Sequence, residues 1–175
     1  MESSIAMEDT HNEISYHKLH SQWTLWAHLP HDTDWTLKSY KNIMTFSTIE
    51  DMHSLINYIP EKMIKNCMLF IMRYNVKPTW EDPINRNGGC FSYKIFNKNV
   101  AEIWKLLCYA VTGESISNNQ SFINSVVGIT ISPKKNFCII KLWMSNCNNQ
   151  DSSKIINLDC LNSYNCIFKK HTPEY

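Results

Sequence analysis

Glycine is scarce in this chain, with four in 175 residues: Gly88, Gly89, Gly113 and Gly128. Neither G-x-G-x-x-G nor G-x-x-x-x-G-K-[ST] can be assembled from those positions, which excludes the glycine-rich phosphate cradles of Rossmann and P-loop proteins. A G-x-S-x-G elbow and an H-E-x-x-H helix are also missing, so no nucleophile or zinc-hydrolase constellation supports a catalytic role. Apolar runs such as residues 67–72 are far too short to span a bilayer. Residues 1–13 are polar and acidic, without the basic-then-apolar layout of a secretory signal. Net charge is only +1, so any nucleic-acid contact must come from a local site rather than from an overall basic field. The seven cysteines are odd in number and form no C-x-x-C pair, which argues against both a disulfide framework and a cysteine zinc site. The spacings His17/His20 and His28/His31 are loosely metal-like but have no nearby carboxylate or thiol to complete a shell, and they read as solvated or structural histidines. The expectation is a soluble, cytoplasmic protein with reduced thiols, no metal, no cofactor and no membrane segment.

What is present is a large apolar fraction, 43%, enough to build a sizeable core in one domain of this length. Residues 1–16 read as a flexible tail and residues 17–175 as a single domain. Residues 19–29 read as a first strand around Trp23, Leu25 and Trp26. Ser47 and Glu50 form a capping-box pattern ahead of Ile49, Met52, Leu55, Ile56 and Ile59, which recur at helical spacing until Pro60. Strands are expected at 67–73 and 90–96, and a second helix over 99–112 with Gly113 at its C′ position. Two further strands, 123–132 and 137–144, flank a short turn at 133–136. Asp151 is expected to cap a third helix to about residue 161, before a last strand at 166–170. The order β-α-β-β-α-β-β-α-β indicates an α+β domain, a mostly antiparallel sheet with its helices on one face.

One connection is out of proportion. Residues 74–89 separate the second and third expected strands, where a hairpin loop usually has two to five residues or so. That segment contains Pro78-Thr79-Trp80-Glu81-Asp82 and ends at Gly88-Gly89. Of the six tryptophans, Trp23, Trp26 and Trp104 fall within expected elements and read as core, whereas Trp35 and Trp80 fall on loops. Two loop indoles make a stacking platform for a flat ligand, worth about 1–3 kcal/mol per face and more for a cationic base. A glutamate beside them can accept the N1–H and N2–H₂ pair of guanine, which adenine does not offer. On residue types alone, a purely structural Trp-Glu-Asp turn fits equally well.

The collinear order of motifs resembles the eukaryotic translation initiation factor 4E family, the mRNA cap-binding subunit. The matching pieces are His17-Lys18-Leu19 with Trp23-Thr24-Leu25-Trp26; Thr45 to Asp51; Pro78-Thr79-Trp80-Glu81-Asp82 with Gly88-Gly89; Trp104 through Gly113-Glu114-Ser115; and Leu142-Trp143. The resemblance implies a cupped, curved sheet with three helices on its convex face and a non-enzymatic role in recruiting capped mRNA. It implies that Trp35 and Trp80 sandwich 7-methylguanosine, that Glu81 reads the guanine edge, and that Trp143 lies against the N7-methyl. Methylation makes the base cationic, so two indole faces and a carboxylate favour it over neutral guanine.

Departures from the family pattern are informative. Trp35 is one residue farther from Phe46 than in the family. Cys90 and Phe91 stand where the family usually has a basic residue and a Trp, and Thr130 stands where a phosphate-gripping Arg is expected. The cations left for the triphosphate are Lys134, Lys135 and Lys141, with His171 behind them; each is equally readable as a surface group. On the helical back, where the resemblance implies docking of an amphipathic scaffold or repressor helix by a monomer, the partner-facing positions are His17, Leu19, Ile49, His53, Lys105, Leu106 and Tyr109. Histidine at 53 replaces an indole anchor, and Leu106 replaces an acidic contact. These changes, with an Asn-, Ile- and Lys-rich composition, suggest a divergent protist or large-DNA-virus member, with altered partners or a role as a cap-sequestering repressor.

Overall fold

In β1 (Lys18–His28) strand alternation sends Trp23, Leu25 and Ala27 to one side and Thr24, Trp26 and His28 to the other, and all six are buried. A strand buried on both faces must be interior, and β1 pairs with β2 (Tyr40–Thr48) on one flank and β3 (Met68–Arg73) on the other. The computed structural model describes residues 15–158, 161 and 166–173, so the expected tail lies outside the described residues except for Ser15 and Tyr16. The remaining strands are β4 (Gly89–Phe96), β5 (Val126–Pro133), β6 (Phe137–Met144) and β7 (Cys166–Lys170). Together they form one curved seven-stranded sheet in the order β2-β1-β3-β5-β6-β4-β7, with every pairing antiparallel.

Among the described residues four α-helices accompany the sheet: α1 (Ile49–Tyr58), α2 (Glu61–Asn66), α3 (Val100–Thr112) and α4 (Gln120–Ser125). Met52 and Ile56 of α1, with Val100, Ile103, Trp104 and Leu107 of α3, pack on the inward residues of β1, β3, β5, β4 and β6 to form the main core. A smaller cluster on the other side of the sheet joins Trp26, Phe70, Met72, Val76, Val127 and Trp143, with Tyr40, Met68 and Trp80 against it.

Several expectations are corrected. The α1 cap is Thr48, whose hydroxyl accepts from the Asp51 amide at 3.2 Å, and not Ser47. Glu50 instead takes the His17 amide and ring Nδ1 (2.7 Å), tying the start of β1 to α1. At the end of α3, Gly113 keeps an ordinary φ of −81°, and it is Glu114 that adopts the left-handed conformation, φ 53°. That turn aims the Glu114 carboxylate at Ser21 Oγ and Arg73 Nη1, both at 2.7 Å, which locks α3 to β1 and β3.

The helix expected over 151–161 is a single 3-10 turn, Ser152–Lys154, capped by Asp151. Beyond it Ile156 N–H donates to Ile116 O (2.9 Å), and Ser117 Oγ donates to Lys154 O (2.6 Å); these tertiary bonds take backbone groups that a helix would need. The strand expected from residue 123 starts at Val126, because Asn119 accepts the Phe122 amide (3.0 Å) and caps α4. The long connection after β3 is no hairpin loop, since β5 and β6 lie between β3 and β4 in the sheet.

Candidate functional site

The loop 74–88 is held by its own polar residues. Asp82 accepts the amides of Lys77 and Ile84, each at 2.9 Å. The fully buried Asn85 side chain donates to the carbonyls of Lys77 and Thr79, both at 2.8 Å. Gly88 closes the loop where no side chain fits: a Cβ there would meet Met144 O at 1.8 Å. The loop is therefore a preformed scaffold, and it presents Trp80 and Glu81 over the sheet face opposite the main core.

A cavity of about 280 Å³ opens there. Its aromatic walls are Trp35, from the loop between β1 and β2, and Trp80 and Trp143, with Tyr40, Met68 and Phe70 beneath. Glu81 lines it from the Trp80 side. The other end is polar: Thr130 and Ser132 of β5 and Lys141 of β6. Thr130 and Ser132 are 1% and 6% exposed, yet their hydroxyls have no hydrogen-bond partner among the described residues. Buried hydroxyls rarely stay unsatisfied, so these two can hydrogen-bond water or a polar group that enters this end. Lys141 stands directly across the β5–β6 ladder from Thr130. A cavity with flat aromatic walls, a carboxylate and a polar, cationic end fits a planar base carrying an anionic chain.

Each loop tryptophan is backed by a histidine. His28 stacks on Trp35, and its Nε2–H donates to Asp34 O (2.9 Å). His171 stacks on Trp80, with centroids 5.6 Å apart and planes 14° from parallel, and also touches Trp143 at 4.8 Å. His171 Nδ1 donates to Asn85 O (2.8 Å), since a carbonyl only accepts, which leaves a buried Nε2 lone pair without a partner among the described residues. Burial lowers the His171 pKa, and Lys141 lowers it further; the bond to Asn85 and the Glu81 charge oppose them.

Of the residues singled out in the sequence, the structure brings Trp35, Trp80, Glu81, Trp143 and Lys141 to one cavity. Lys134 and Lys135 are exposed on the β5–β6 turn, outside its wall. His171 is buried behind Trp80 rather than presented to the cavity. Tyr40, Phe70 and Ser132 also line the cavity and carry no motif in the sequence; their only signal is strand alternation within β2, β3 and β5.

The partner-facing positions gather on the helical side. His53 stacks on Tyr109 at 6.2 Å, the Tyr109 hydroxyl accepts from Asn57 Nδ2 (2.8 Å), and Lys105 Nζ donates to Asn57 Oδ1 (3.3 Å). Ile49 and Leu106 stay exposed beside them, while His17 is engaged with Glu50 and Leu19 packs partly buried against the core.

Comparison with known proteins gives a consistent result. The sequence model of the family "Eukaryotic initiation factor 4E" matches residues 18–173. Eukaryotic translation initiation factor 4E of Eremothecium gossypii is 30% identical over 145 residues, 79% of this chain and 67% of that protein. Eukaryotic translation initiation factor 4E-2 of Schizosaccharomyces pombe is 29% identical over 152 residues; the match covers 83% of this chain and only 60% of the relative's length. Among solved structures, Caenorhabditis elegans eIF4E-3 in complex with the 4E-binding protein Mextli and cap analog superposes with a TM-score of 0.70 at 23% identity, covering 78% of this chain and 79% of that one. Ascaris suum eIF4E-3 with m7G cap gives 0.69 at 22% identity, with 78% of each chain covered. At these identities the two structures establish the shared fold.

Proposed function

Because the chain belongs to the eukaryotic initiation factor 4E family, whose proteins are binding factors and not enzymes, we propose that it binds the 7-methylguanosine cap of mRNA in this cavity and recruits the message for translation initiation. The observation that carries the reading is the joining, in one cavity, of two loop tryptophans, a glutamate and a polar end containing a lysine. In this reading the base slides between Trp35 and Trp80, Glu81 accepts from its N1–H and N2–H₂ edge, and Trp143 lies against the methyl group. The cationic base gains over neutral guanine from the indole faces and the carboxylate. The triphosphate then reaches the end formed by Thr130, Ser132 and Lys141, where Lys141 supplies from β6 the cation that Thr130 does not supply from β5. Residues 17–175 act as one cap-binding unit in the cytoplasm, the host's if the source is viral.

Titrating the protein with 7-methyl-GTP and with GTP while following tryptophan fluorescence tests this. The expected result is strong quenching with a clear preference for the methylated nucleotide; equal response to both would overturn it.

A second reading has its own observation. On the convex side His53 stacks on Tyr109, and Asn57 hydrogen-bonds both Tyr109 and Lys105, so an amphipathic scaffold helix meets polar groups that are already partnered there. A protein that holds the cap without recruiting the standard scaffold would act as a repressor or decoy. Pull-down of a scaffold protein with small-ribosomal-subunit components would favour recruitment, and their absence would favour sequestration.

A further inference from the structure

Among the described residues, the sheet face that forms the cavity floor continues past it and leaves Lys94 and Phe96 exposed. Inward residues of β4, namely Phe91, Tyr93 and Ile95, pack in the main core, so alternation turns Ser92, Lys94 and Phe96 to the cavity side. The ladders show the same: Lys141 pairs with Ser92, Ile139 with Lys94, and Phe137 with Phe96. Ser132, at the polar end of the cavity, pairs with Ile139. Lys94 therefore lies two strands from Ser132, about 10 Å at the usual strand spacing. Phe96 and Phe137 follow one row further on. Phe96 is 60% exposed, and Lys94 Nζ stands 4.4 Å from the centroid of the Phe137 ring and 5.7 Å from that of Phe96. Lys169 faces the same side through its pairing with Cys90.

Charge is distributed to match. β4, β6 and β7 contain no Asp or Glu, but on this face they hold Lys94, Lys141 and Lys169, in a chain whose net charge is only +1. An exposed sheet face with aromatic rings between lysines is a stacking platform for single-stranded nucleic acid, with rings for bases and ammonium groups for phosphates.

We propose that this face, running from Lys141 past Lys94 to Phe96 and Phe137, holds the single-stranded RNA that follows the cap. The inference rests on the cap-binding reading, because the polar end of the cavity is where the chain of phosphates would leave it. A stacked first base over Phe96 or Phe137 makes the protein bind a capped transcript more tightly than the isolated cap.

The test compares 7-methyl-GTP with a short capped oligoribonucleotide, on wild type and on Phe96→Ala and Lys94→Glu. Both positions are exposed and outside the cavity wall. Wild type should bind the capped oligonucleotide about tenfold more tightly than 7-methyl-GTP, the value of one stacked base. Each variant should lose that gain: Phe96→Ala should bind 7-methyl-GTP as before, while Lys94→Glu should weaken 7-methyl-GTP only modestly, by long-range charge, and should also flatten the salt dependence of oligonucleotide binding. Equal wild-type affinity for the two ligands, or a gain that both variants retain, overturns the track and leaves the cap reading standing. Failure to bind 7-methyl-GTP overturns both. Wild-type self-association that Phe96→Ala abolishes and capped RNA does not compete away would assign the face to a second copy of the chain and overturn the track.

Discussion

The imidazole of His28 lies flat against the indole of Trp35, with ring centroids 4.3 Å apart and planes 3° from parallel. Trp35 is 57% exposed and sits on a loop, so this stack and the bond from His28 to Asp34 are what hold its other face towards the cavity. A stacking residue that is already oriented loses less freedom when the ligand arrives. His28→Ala should therefore weaken 7-methyl-GTP binding by about 0.5–1.5 kcal/mol, the usual worth of an aromatic pair, with His28→Phe restoring most of it. Fluorescence titration of the two variants provides the check, and an Ala variant that binds like wild type would remove His28 from the account.

The base itself is the subject of the second prediction. Trp80→Ala removes one stacking face and should cost about 1–3 kcal/mol, up to roughly a hundredfold in affinity. Glu81→Ala should cost at least as much and erode the preference for guanine, because the purine's two edge donors lose their acceptor. Competition of 7-methyl-GTP with other nucleotides, on variants whose circular dichroism matches wild type, reads both effects. Wild-type affinity in either variant would place the ligand elsewhere.

On residue types alone Trp80-Glu81 reads equally well as a structural turn, and it is the collinear resemblance to the family that marks the pair in the sequence; β6 and β7 are legible locally, with boundaries that the structure reproduces, Phe137–Met144 and Cys166–Lys170. β2 was not legible: Phe46 is its only buried residue, and Ile43 and Met44 face solvent, so no apolar alternation marks it. α2 and α4 are too short to show a period, and the Asn119 cap that starts α4 is seen only in the structure. The backing role of His171 depends on a contact between loop 74–88 and the residue just after β7, a separation that no local pattern reveals. Lys141 could be paired with Thr130 only once the β5–β6 register was known.

That register sets the third prediction. Lys141 lines the cavity, whereas Lys134 and Lys135 lie on the exposed turn beyond it. Lys141→Ala should weaken 7-methyl-GTP by about 1.5–3 kcal/mol, the range for a hydrogen bond to a charged group, and leave 7-methylguanosine nucleoside nearly unaffected. Reversing charge at Lys134 and Lys135 together should act at longer range, lowering affinity modestly and flattening its salt dependence. Should the double variant lose far more than Lys141→Ala, the phosphates run towards the turn instead.

Acid should weaken the site through His171. Burial, with Lys141 beside it, lowers the folded-state pKa from the ordinary value of 6.5, against the opposing bond to Asn85 and the charge of Glu81. A histidine held neutral in the folded state takes up protons more readily when unfolded. Its contribution to stability is therefore complete above 6.5 and is lost progressively as pH falls below that value. Wild type should show a falling Tm and weakening cap affinity on acidification through this window. His171→Phe, which keeps a ring behind Trp80 but cannot titrate, should show a shallower decline in both. Parallel wild-type and variant curves would exclude His171 as the source.

The convex face supports the last prediction. Leu106 and Tyr109 are three residues apart on α3 and share a side of it, with Ile49 exposed at the start of α1 nearby. An amphipathic partner helix can use Leu106 and Ile49 as apolar contacts, but the ring it meets at position 53 is an imidazole stacked on Tyr109, not an indole. Lys105, bonded to Asn57, adds a cation at the border and should prefer an acidic partner residue. A generic host scaffold helix should therefore bind wild type weakly. His53→Trp should tighten it, by up to about 2 kcal/mol if the indole regains a central anchoring position. Leu106→Ala and Tyr109→Ala should weaken whatever helix the wild type does accept, and Lys105→Glu should reverse its preference for acidic partners. Isothermal titration of the peptide against these four variants separates the cases. Tight wild-type binding that is indifferent to Leu106 and Tyr109 would show that partner helices dock elsewhere, and that the His53 substitution changed nothing they read.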